Sequence, residues 1–461
     1  MIKNTLEWAN FIFGNSQLGD KRRTNRLVNM ACGLADNVGK SVVKASDDLA
    51  SIEGNYRLIR NKHISADPIA ESGFAATVSL ANSYNDILAL EDTTSLSYNR
   101  ENMPDKFGHT TSAKNSKRRG ISVHSILLFA PLQRHTIGLI EQRRWVRDSK
   151  TFGTRKQRQK RAYQDKESYK WEQASNAMSE RLGDKMKDCI SVCDREADII
   201  EYLSYKCVNK QRFVVRVNSN RPLDDGSRLI NYVSEKTVEG EYTVRVPQRG
   251  GRKARDAKLS IQYSQVTVLA PERKRSANPP MPLYAVSCTE IDSDADAGLQ
   301  WNLLTTEPVS SAEDAKKIVS YYEARWKVEL FHKVWKSEGT LVENLKMHQF
   351  ESLEKVAVVL AFIACRLMQL KDMGDSEVGE SAPCTLCLTA PQWQILYKAT
   401  YKKSPDKSDV PTVRWAYQSL GKLAGWNDSR RTGRVGWKTL NEGLTKLNNM
   451  VEALELFGHE M

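Results

Sequence analysis

A chain of 461 residues and 52.2 kDa is long enough for about two to four domains, or for one large core with insertions. The net charge of +13 indicates a polyanionic partner, most simply nucleic acid, with a generally basic soluble protein as the alternative. No apolar run is long enough to span a bilayer and no signal peptide is visible, so we expect a cytoplasmic protein with no membrane partner.

The eight cysteines are scattered along the chain, which favours reduced thiols over a disulfide framework. Cys384 and Cys387 form one C-x-x-C pair, without a second pair or a nearby histidine. A zinc site there is one interpretation, and free thiols are the favoured one.

The elements in chain order predict an α/β protein with helical ends. Residues 1–66 are predicted to be helical, because apolar residues recur at helical spacing in "TNRLVNMACGLADNV". Residues 67–370 begin with a helix through the seventies and continue from about Asp86 as three β-rich runs. Helix, strand, helix and strand follow, which predicts a mixed sheet with an antiparallel start. Alternating strands between 221 and 300 predict an all-β insertion, and residues 371–461 are predicted to be helical.

Three acidic residues are candidates for metal binding. Asp92 follows the apolar run "ILAL", Asp194 ends the run "CISVC", and Glu329 lies in "YYEARWKVELFHKVWK". A carboxylate at the tip of a buried strand is costly unless it is paired or binds a cation. Two such strand ends side by side favour a divalent metal, although ordinary salt-bridged acids are the alternative.

The segment around Glu329 also predicts a polar seam on a largely buried helix. At about 100° per residue, one narrow stripe contains one acid, three bases and a phenol. These residues are Tyr322, Arg325, Glu329, Lys333 and Lys336. The seam suits a metal-binding acid among cations that hold phosphates, and a purely structural set of ion pairs is the alternative.

Basic loops with interleaved aromatic residues are the third signal. They are "KNSKRRG", "RRWVRDSKTFGTRKQRQKR" and "QRGGRKARDAK". Such loops suit phosphate tracking and base stacking, although each one alone is more often a solvated loop.

The segments "ALEDTTSLSY", "VCDREADI" and "YYEARWKVELFHKVWK" resemble the three catalytic blocks of the DDE transposases of bacterial insertion sequences. The last block carries the Y-(2)-R-(3)-E-(6)-K signature of the IS-four family. The resemblance extends from "LGDKRRTNRLVN" to "RRTGRVGW", which is nearly the whole chain.

The resemblance implies a ribonuclease-H-like core in which Asp92, Asp194 and Glu329 bind two Mg²⁺ ions, for which Mn²⁺ can substitute. It implies hydrolytic nicking at each transposon end, a DNA hairpin intermediate, and joining of the 3′ ends to target DNA. The implied partners are double-stranded DNA, namely the inverted-repeat ends and the target, and a second copy of the chain. The C-terminal helices correspond to the dimerisation region, and the bound protein would be associated with the nucleoid.

The resemblance also assigns DNA contacts. Trp301 matches a tryptophan that stacks on a flipped base, and end recognition is assigned to the N-terminal helices. The matching positions are Tyr322, Arg325, Lys333, Lys336, Arg216, Arg26, Arg57 and Arg60.

The chain departs from the compared family member at two places. Asp36 and Asn37 replace a Lys-Tyr pair, so the recognised end sequence is expected to differ. Ile121 and Ser122 replace a tryptophan pair, which bears on how a flipped base or hairpin is held. Two other functions compete with an active transposase: a catalytically silent DNA-binding inhibitor or domesticated derivative, and a ribonuclease-H-fold nuclease without strand transfer.

Overall fold

The computed structural model of the chain describes most of its residues. The described ranges are 4–98, 106–110, 119–147, 160–246, 254–291, 298–347, 349–406, 409–429 and 433–457. The basic loops lie mostly outside these ranges, since residues 111–118, 148–159 and 247–253 are not described.

A single mixed sheet of ten strands organises the described residues. Its strands are rich in β-branched and aromatic residues, and the central ones are buried on both faces. The strands are β1 (Ile87–Tyr98), β2 (Gly108–His109), β3 (Arg119–Ala130), β4 (His135–Trp145), β5 (Cys189–Cys193), β6 (Arg212–Arg216), β7 (Gly240–Val246), β8 (Arg255–Val268), β9 (Met281–Glu290) and β10 (Gln300–Thr305).

One half of the sheet has the strand order β4-β3-β1-β5-β6. Strand β3 is antiparallel to its neighbours β4 and β1, and β5 and β6 run parallel to β1. This order and these directions are the ribonuclease-H-like arrangement expected from the sequence. The antiparallel start of the sheet is likewise confirmed.

The other half of the sheet continues from β6 through β10, β9, β8 and β7, all antiparallel. The strands between residues 221 and 300 therefore extend the main sheet, with β10 as the connecting strand. The same region also contains the short helix Leu229–Ser234, whose buried Leu229 and Val233 pack on the sheet.

Helices cover both faces of the sheet and both ends of the chain. They begin at capping residues where the sequence offers them: Asp20, Asp48, Ser311 and Thr389 each accept a backbone N–H of the first helical turn. The helices are α1 (Thr5–Phe13), α2 (Lys21–Asp36), α3 (Leu49–Arg60), α4 (Asp67–Ala81), α5 (Lys170–Leu182), α6 (Ile200–Val208), α7 (Leu229–Ser234), α8 (Ala312–Ala324), α9 (Trp326–Lys333), α10 (Phe350–Gly374), α11 (Val378–Ser381), α12 (Ala390–Tyr401), α13 (Val413–Leu423) and α14 (Trp437–Phe457).

The central helix α10 joins the N-terminal helices to the sheet. Residues 356–365 are buried throughout, and the ring of Phe362 lies 5.7 Å from Phe13 and 5.8 Å from Phe74. The apolar run at residues 356–365 is therefore part of the core. Across the described ranges, no helix is both long and apolar enough to cross a membrane.

A buried ion pair fixes the chain after β6. Asp198 accepts hydrogen bonds from the backbone N–H groups of Asn218 at 2.7 Å and Ser219 at 2.8 Å, and from Arg221 Nε at 2.9 Å. The side chain of Asp198 is fully buried, and that of Arg221 is 7% exposed. Asp198 therefore holds the loop after β6 in place, and helix α6 begins two residues after it, at Ile200.

Replacing Asp198 with alanine is expected to lower the free energy of unfolding by about 3–5 kcal/mol, because a buried Arg221 would lose its counter-charge. Urea denaturation would measure the change. The matched control is Asp256→Ala, whose 3.0 Å pair with Arg245 is more than 60% exposed at both side chains, so that a loss under about 1 kcal/mol is expected. Similar losses in the two variants would contradict this interpretation.

Candidate active site

Two of the predicted acids lie at equivalent positions on neighbouring parallel strands. Backbone pairing of β1 with β5 ends at Leu90 and Val192. Asp92 and Asp194 each stand two residues further on, so they project from the same face of the sheet as that last pair. The register thus brings these two carboxylates together, as the sequence predicts.

Asp92 is partly buried and lies next to a histidine. His332 Nδ1 is 3.4 Å from Asp92 Oδ2, and the His332 side chain is only 5% exposed. Burial raises the pKa of Asp92, but the His332 ring and the charge of Arg325 outweigh that effect and hold the pKa below its ordinary value.

The pKa of Asp194 is shifted in the opposite direction from that of Asp92. Its Oδ1 accepts a hydrogen bond from the backbone N–H of Glu196 at 2.8 Å. Burial raises the pKa of Asp194, the Glu196 N–H and Arg325 lower it, and the neighbouring charge of Asp92 raises it again, so that the net pKa lies above the ordinary value. The environment therefore separates the two carboxyl groups, and Asp194 takes up a proton more readily than Asp92.

The third acid, Glu329, lies on helix α9 above the sheet and is engaged by an arginine. Arg325 Nη2 donates to Glu329 Oε1 at 2.5 Å. Arg325 is buried, and its Nε and Nη1 have no hydrogen-bond partner among the described residues. Burial lowers the pKa of Arg325, but Tyr322, Glu329 and Asp92 together raise it above its ordinary value.

All three acids therefore converge on Arg325, which contacts Glu329 directly and interacts electrostatically with Asp92 and Asp194. Across the described ranges, no group of three or more His, Cys, Asp and Glu side chains is arranged to hold a metal ion. The arginine supplies the counter-charge in this arrangement.

Two aromatic residues of the predicted site pack on each other. The rings of Trp301 and Tyr322 lie 5.2 Å apart at an angle of 70°, and both side chains are nearly buried. Trp301 is the second residue of β10, and Tyr322 lies near the end of α8. In this arrangement Tyr322 covers one part of the Trp301 ring.

Each basic residue of the polar seam is paired with a glutamate. Beyond the Arg325–Glu329 pair, Lys333 Nζ lies 2.7 Å from Glu338 Oε1, and Lys336 Nζ lies 3.6 Å from Glu343 Oε1. The chain adopts a π-helical turn from Val334 to Glu338, which follows α9 directly.

Lys336 also fixes the end of strand β1. Its Nζ donates to the carbonyl of Ser95 at 2.7 Å and to Thr94 Oγ1 at 3.3 Å. Glu343 accepts the backbone N–H of Ser97 at 2.7 Å. Lys336 and Glu343 thus hold the distal half of β1 against the helix that carries Glu329.

Of the other predicted DNA-contact residues, Arg216 follows the last pair of β5 and β6, Cys193 with Val215, and so lies on the strand next to Asp194. The remaining ones lie on the N-terminal helices. Arg216 ends β6 and donates to the carbonyl of Gln300 at 2.9 Å. Arg57 and Arg60 are exposed on α3, where Arg60 lies 4.9 Å from the centre of the Tyr56 ring. Arg26 lines a polar cleft of about 580 Å³ between the N-terminal and C-terminal helices, together with Asp36.

Sequence reasoning did not single out His332, although it lies three residues after Glu329 and so on the same side of the helix. A histidine at that spacing beside a predicted metal-binding acid was the available signal. It also did not single out the glutamates that pair with Lys333 and Lys336, because those pairs depend on the turn after α9.

Two family models match the chain. The model described as "Transposase DNA-binding" matches residues 6–64, and the model described as "Transposase DDE domain" matches residues 172–366. The second match includes Asp194 and Glu329, while Asp92 precedes it. The chain therefore carries a transposase DNA-binding domain and a DDE transposase domain.

Among solved structures, the chain is similar to the one described as "Cryo-EM structure of piggyBac transposase synaptic complex with hairpin DNA". The identity is 12%, the TM-score is 0.40, and the match covers 81% of this chain and 76% of the other. The two domain matches are what support a transposase function.

The donor set at the site fits a hard divalent cation. Asp92, Asp194 and Glu329 offer carboxylate oxygens, which Mg²⁺ prefers. His332 Nε2 is buried without a hydrogen-bond partner among the described residues. Because Glu329 is held by Arg325 and Asp92 lies against His332, these carboxylates must leave their present partners to bind a metal.

Replacing Arg325 with methionine is expected to raise the pKa of both Asp92 and Asp194, because the positive charge that lowers both values is removed. The protonation equilibria can be followed by NMR of carboxyl-labelled aspartates. Both groups should then hold their protons to higher pH. Lys333→Met removes an exposed charge from the same seam and is the matched control. Unchanged aspartate pKa values in the Arg325 variant would contradict the central role of this arginine.

Proposed function

We propose that the protein is a DNA transposase of the IS-four family, similar to the cut-and-paste transposase of transposon Tn-five. It would cleave the ends of an insertion sequence through a hairpin intermediate and join the 3′ ends to target DNA. The observation that supports this most directly is the register that carries Asp92 and Asp194 to one sheet edge below Glu329, in a chain with both transposase domains.

The three acids are proposed to hold two Mg²⁺ ions, with Mn²⁺ as an effective substitute. Bound metal supplies an activated water or 3′-hydroxyl and stabilises the leaving oxygen of a phosphodiester. The chain contributes the carboxylates, it contributes Arg325 as a cation that neutralises them when no metal is bound, and it places the His332 ring beside Asp92. The positive charge of Arg325 reduces the repulsion among the three carboxylates, which stabilises them in one folded site.

Lys333 and Lys336 are proposed to contact DNA phosphates beside the acids. Arg325 and Tyr322 are proposed to lie next to the same DNA strand. Lys333 is 56% exposed at its side chain and can exchange Glu338 for a phosphate. Lys336 is more enclosed and is also a structural residue for β1, so its replacement would affect both roles.

Recognition of the transposon ends is proposed for the N-terminal region, where Arg57 and Arg60 are exposed and Arg26 is half-buried. The match to a transposase DNA-binding model over residues 6–64 supports this assignment. We propose residues 1–66 as the end-recognition domain and 67–370 as the catalytic domain with the 221–300 insertion. Residues 371–461 are proposed to mediate homodimerisation on DNA.

Trp301 is proposed to stack on a base flipped out near the hairpin. In the arrangement described above, Tyr322 lies against the Trp301 ring and the tryptophan is 6% exposed. Base stacking on Trp301 therefore requires Tyr322 to move. Hairpin formation would then be coupled to a rearrangement between β10 and α8.

Asp194→Ala is expected to abolish Mg²⁺-dependent cleavage while leaving binding of the transposon end largely intact, because the change removes a proposed metal ligand and no DNA contact. The DNA flanking the coding region supplies the substrate, and gel-shift and cleavage assays measure the two activities.

The matched control is Glu196→Ala, since Glu196 lies two residues away, is 65% exposed at its side chain and pairs only weakly with Lys170 at 3.4 Å. It should cleave like the unmodified protein. Wild-type cleavage by the Asp194 variant would refute the proposed role. Binding without any cleavage by the unmodified protein would favour the catalytically silent derivative instead.

Trp301→Ala is expected to slow hairpin formation more than the first nick, because a stacked base contributes roughly 1–3 kcal/mol. Rates measured on intact and pre-nicked end DNA separate the two steps. Trp301→Phe retains an aromatic surface and should form the hairpin at a rate between those of the unmodified protein and the alanine variant. Equal loss of both steps in the alanine variant would argue against stacking and for a general packing role of the tryptophan.

A further inference from the structure

A fully buried polar cluster lies on the face of the sheet opposite the acids. Its members are Glu91 on β1, His124 on β3, Ser191 on β5, Ser175 on α5 and Lys206 on α6, and we call them the rear cluster. Each is 0% exposed. The proposed mechanism uses none of these side chains.

The members of the rear cluster are in contact with one another. Lys206 Nζ donates to Ser191 Oγ at 2.8 Å and to Ser175 Oγ at 2.6 Å. His124 Nε2 lies 3.5 Å from Glu91 Oε2. Burial raises the pKa of Glu91, but His124 and the charge of Lys206 outweigh that effect and lower it, which keeps this carboxyl ionised. The cluster is therefore a buried set of interacting charges.

The cluster lies directly behind the proposed metal ligands. Side chains alternate along a strand, so Glu91 and Thr93 point to the rear while Asp92 points to the front. His124 Nδ1 lies 3.0 Å from Thr93 Oγ1 and thereby connects the residues on both sides of Asp92. On β5, Ser191 points to the rear and Asp194 to the front.

Stability alone does not account for the rear cluster. A buried carboxylate and a buried ammonium carry a desolvation cost of several kcal/mol each, and apolar residues of similar volume are often equally stabilising or more so. Neither oxygen of Glu91 accepts a hydrogen bond within the described part of the chain. The arrangement is costly, which favours a role in specifying geometry.

The geometry that needs specifying is the spacing of the two strand ends. Backbone pairing of β1 and β5 stops at Leu90 and Val192, before either aspartate. The rear cluster spans the end of this ladder. Lys206 donates to Ser191, which pairs with Ala89 just inside the ladder, and the charge of Lys206 acts on Glu91, the first residue of β1 past the last pair.

We propose that the rear cluster sets the separation of Asp92 and Asp194, so that Glu91, His124 and Lys206 are positioning residues for the metal-binding pair. This inference rests on the proposed function, since it requires those aspartates to bind metal. It extends that function to residues on the opposite face of the sheet that touch neither DNA nor metal.

The test is the double variant Glu91→Gln/Lys206→Met, which removes both charges together and so leaves no unpaired buried ion. Mn²⁺ binding is measured directly by electron paramagnetic resonance of the free ion. Cleavage as a function of Mg²⁺ concentration and end binding by gel shift are measured on the same full-length protein. Metal affinity is expected to fall roughly 10–100-fold, as for other residues that orient metal ligands, while end binding is retained.

Lys355→Met is the matched control, because Lys355 is also a buried lysine but donates only to the carbonyls of Ile59 and Asn61, away from the acids. It should lose stability without losing Mn²⁺ affinity. A comparable loss of Mn²⁺ affinity in this control, or unchanged affinity in the double variant, would overturn the inference.

Two further variants keep the result decisive. Ser191→Ala removes only the hydroxyl that joins Lys206 to β5, so it decides the question if the double variant does not fold: weaker Mn²⁺ binding supports the inference and unchanged binding overturns it. Asp194→Asn tests the underlying function separately. If Asp194→Asn retains full Mn²⁺ affinity, the metal assignment itself fails, whereas loss in Asp194→Asn without loss in the rear-cluster variants refutes only the inference.

Discussion

Repulsion between carboxylates is the constraint around which the site is built. Asp92 and Asp194 are brought to one sheet edge by the parallel register of β1 and β5, and Glu329 is added from the helix above. Like charges this close are unfavourable unless a cation lies among them. Arg325 fills that place, assisted by His332 beside Asp92. The seam on α8 and α9 is therefore an electrostatic requirement of the folded chain before any DNA is present.

The same sheet divides the chemistry between its two faces. Strand β1 presents Asp92 to the front and Glu91 to the rear, so one strand carries both a proposed ligand and a residue behind it. The front is open to exchange of partners, since the Glu329 side chain is 34% exposed. The rear is closed by α5 and α6, where Trp171 lies 4.6 Å from the His124 ring. A rigid rear and an exchangeable front suit a site that must bind and release a nucleic acid.

Local patterns in the sequence were sufficient for the mixed sheet and for the helical ends, and they predicted that Asp92 and Asp194 lie side by side. Asp92 and Asp194 could be found because each ends an apolar run, and the seam could be found from helical periodicity alone. The partners could not be found in this way. Lys206 is far from Glu91 in sequence, and the burial of Trp301 beneath Tyr322 depends on how β10 meets α8. The strands after residue 221 gave no local sign that they extend the main sheet. These contacts join elements that are separate in the sequence, so they become visible only when the chain has folded.

The glutamates beside Lys333 and Lys336 have a thermodynamic consequence for DNA binding. A free surface lysine that meets a phosphate displaces a condensed counterion from the DNA, and binding weakens with salt by a slope of roughly 0.9 per contact. If Lys333 and Lys336 bind phosphates as proposed, each phosphate must also displace a protein carboxylate, Glu338 or Glu343, which then takes up cations from solution. Cation uptake would offset counterion release, so these contacts would contribute less to the salt dependence than their number implies. On this proposal, Lys333 and Lys336 each exchange a protein carboxylate for a DNA phosphate next to the acids.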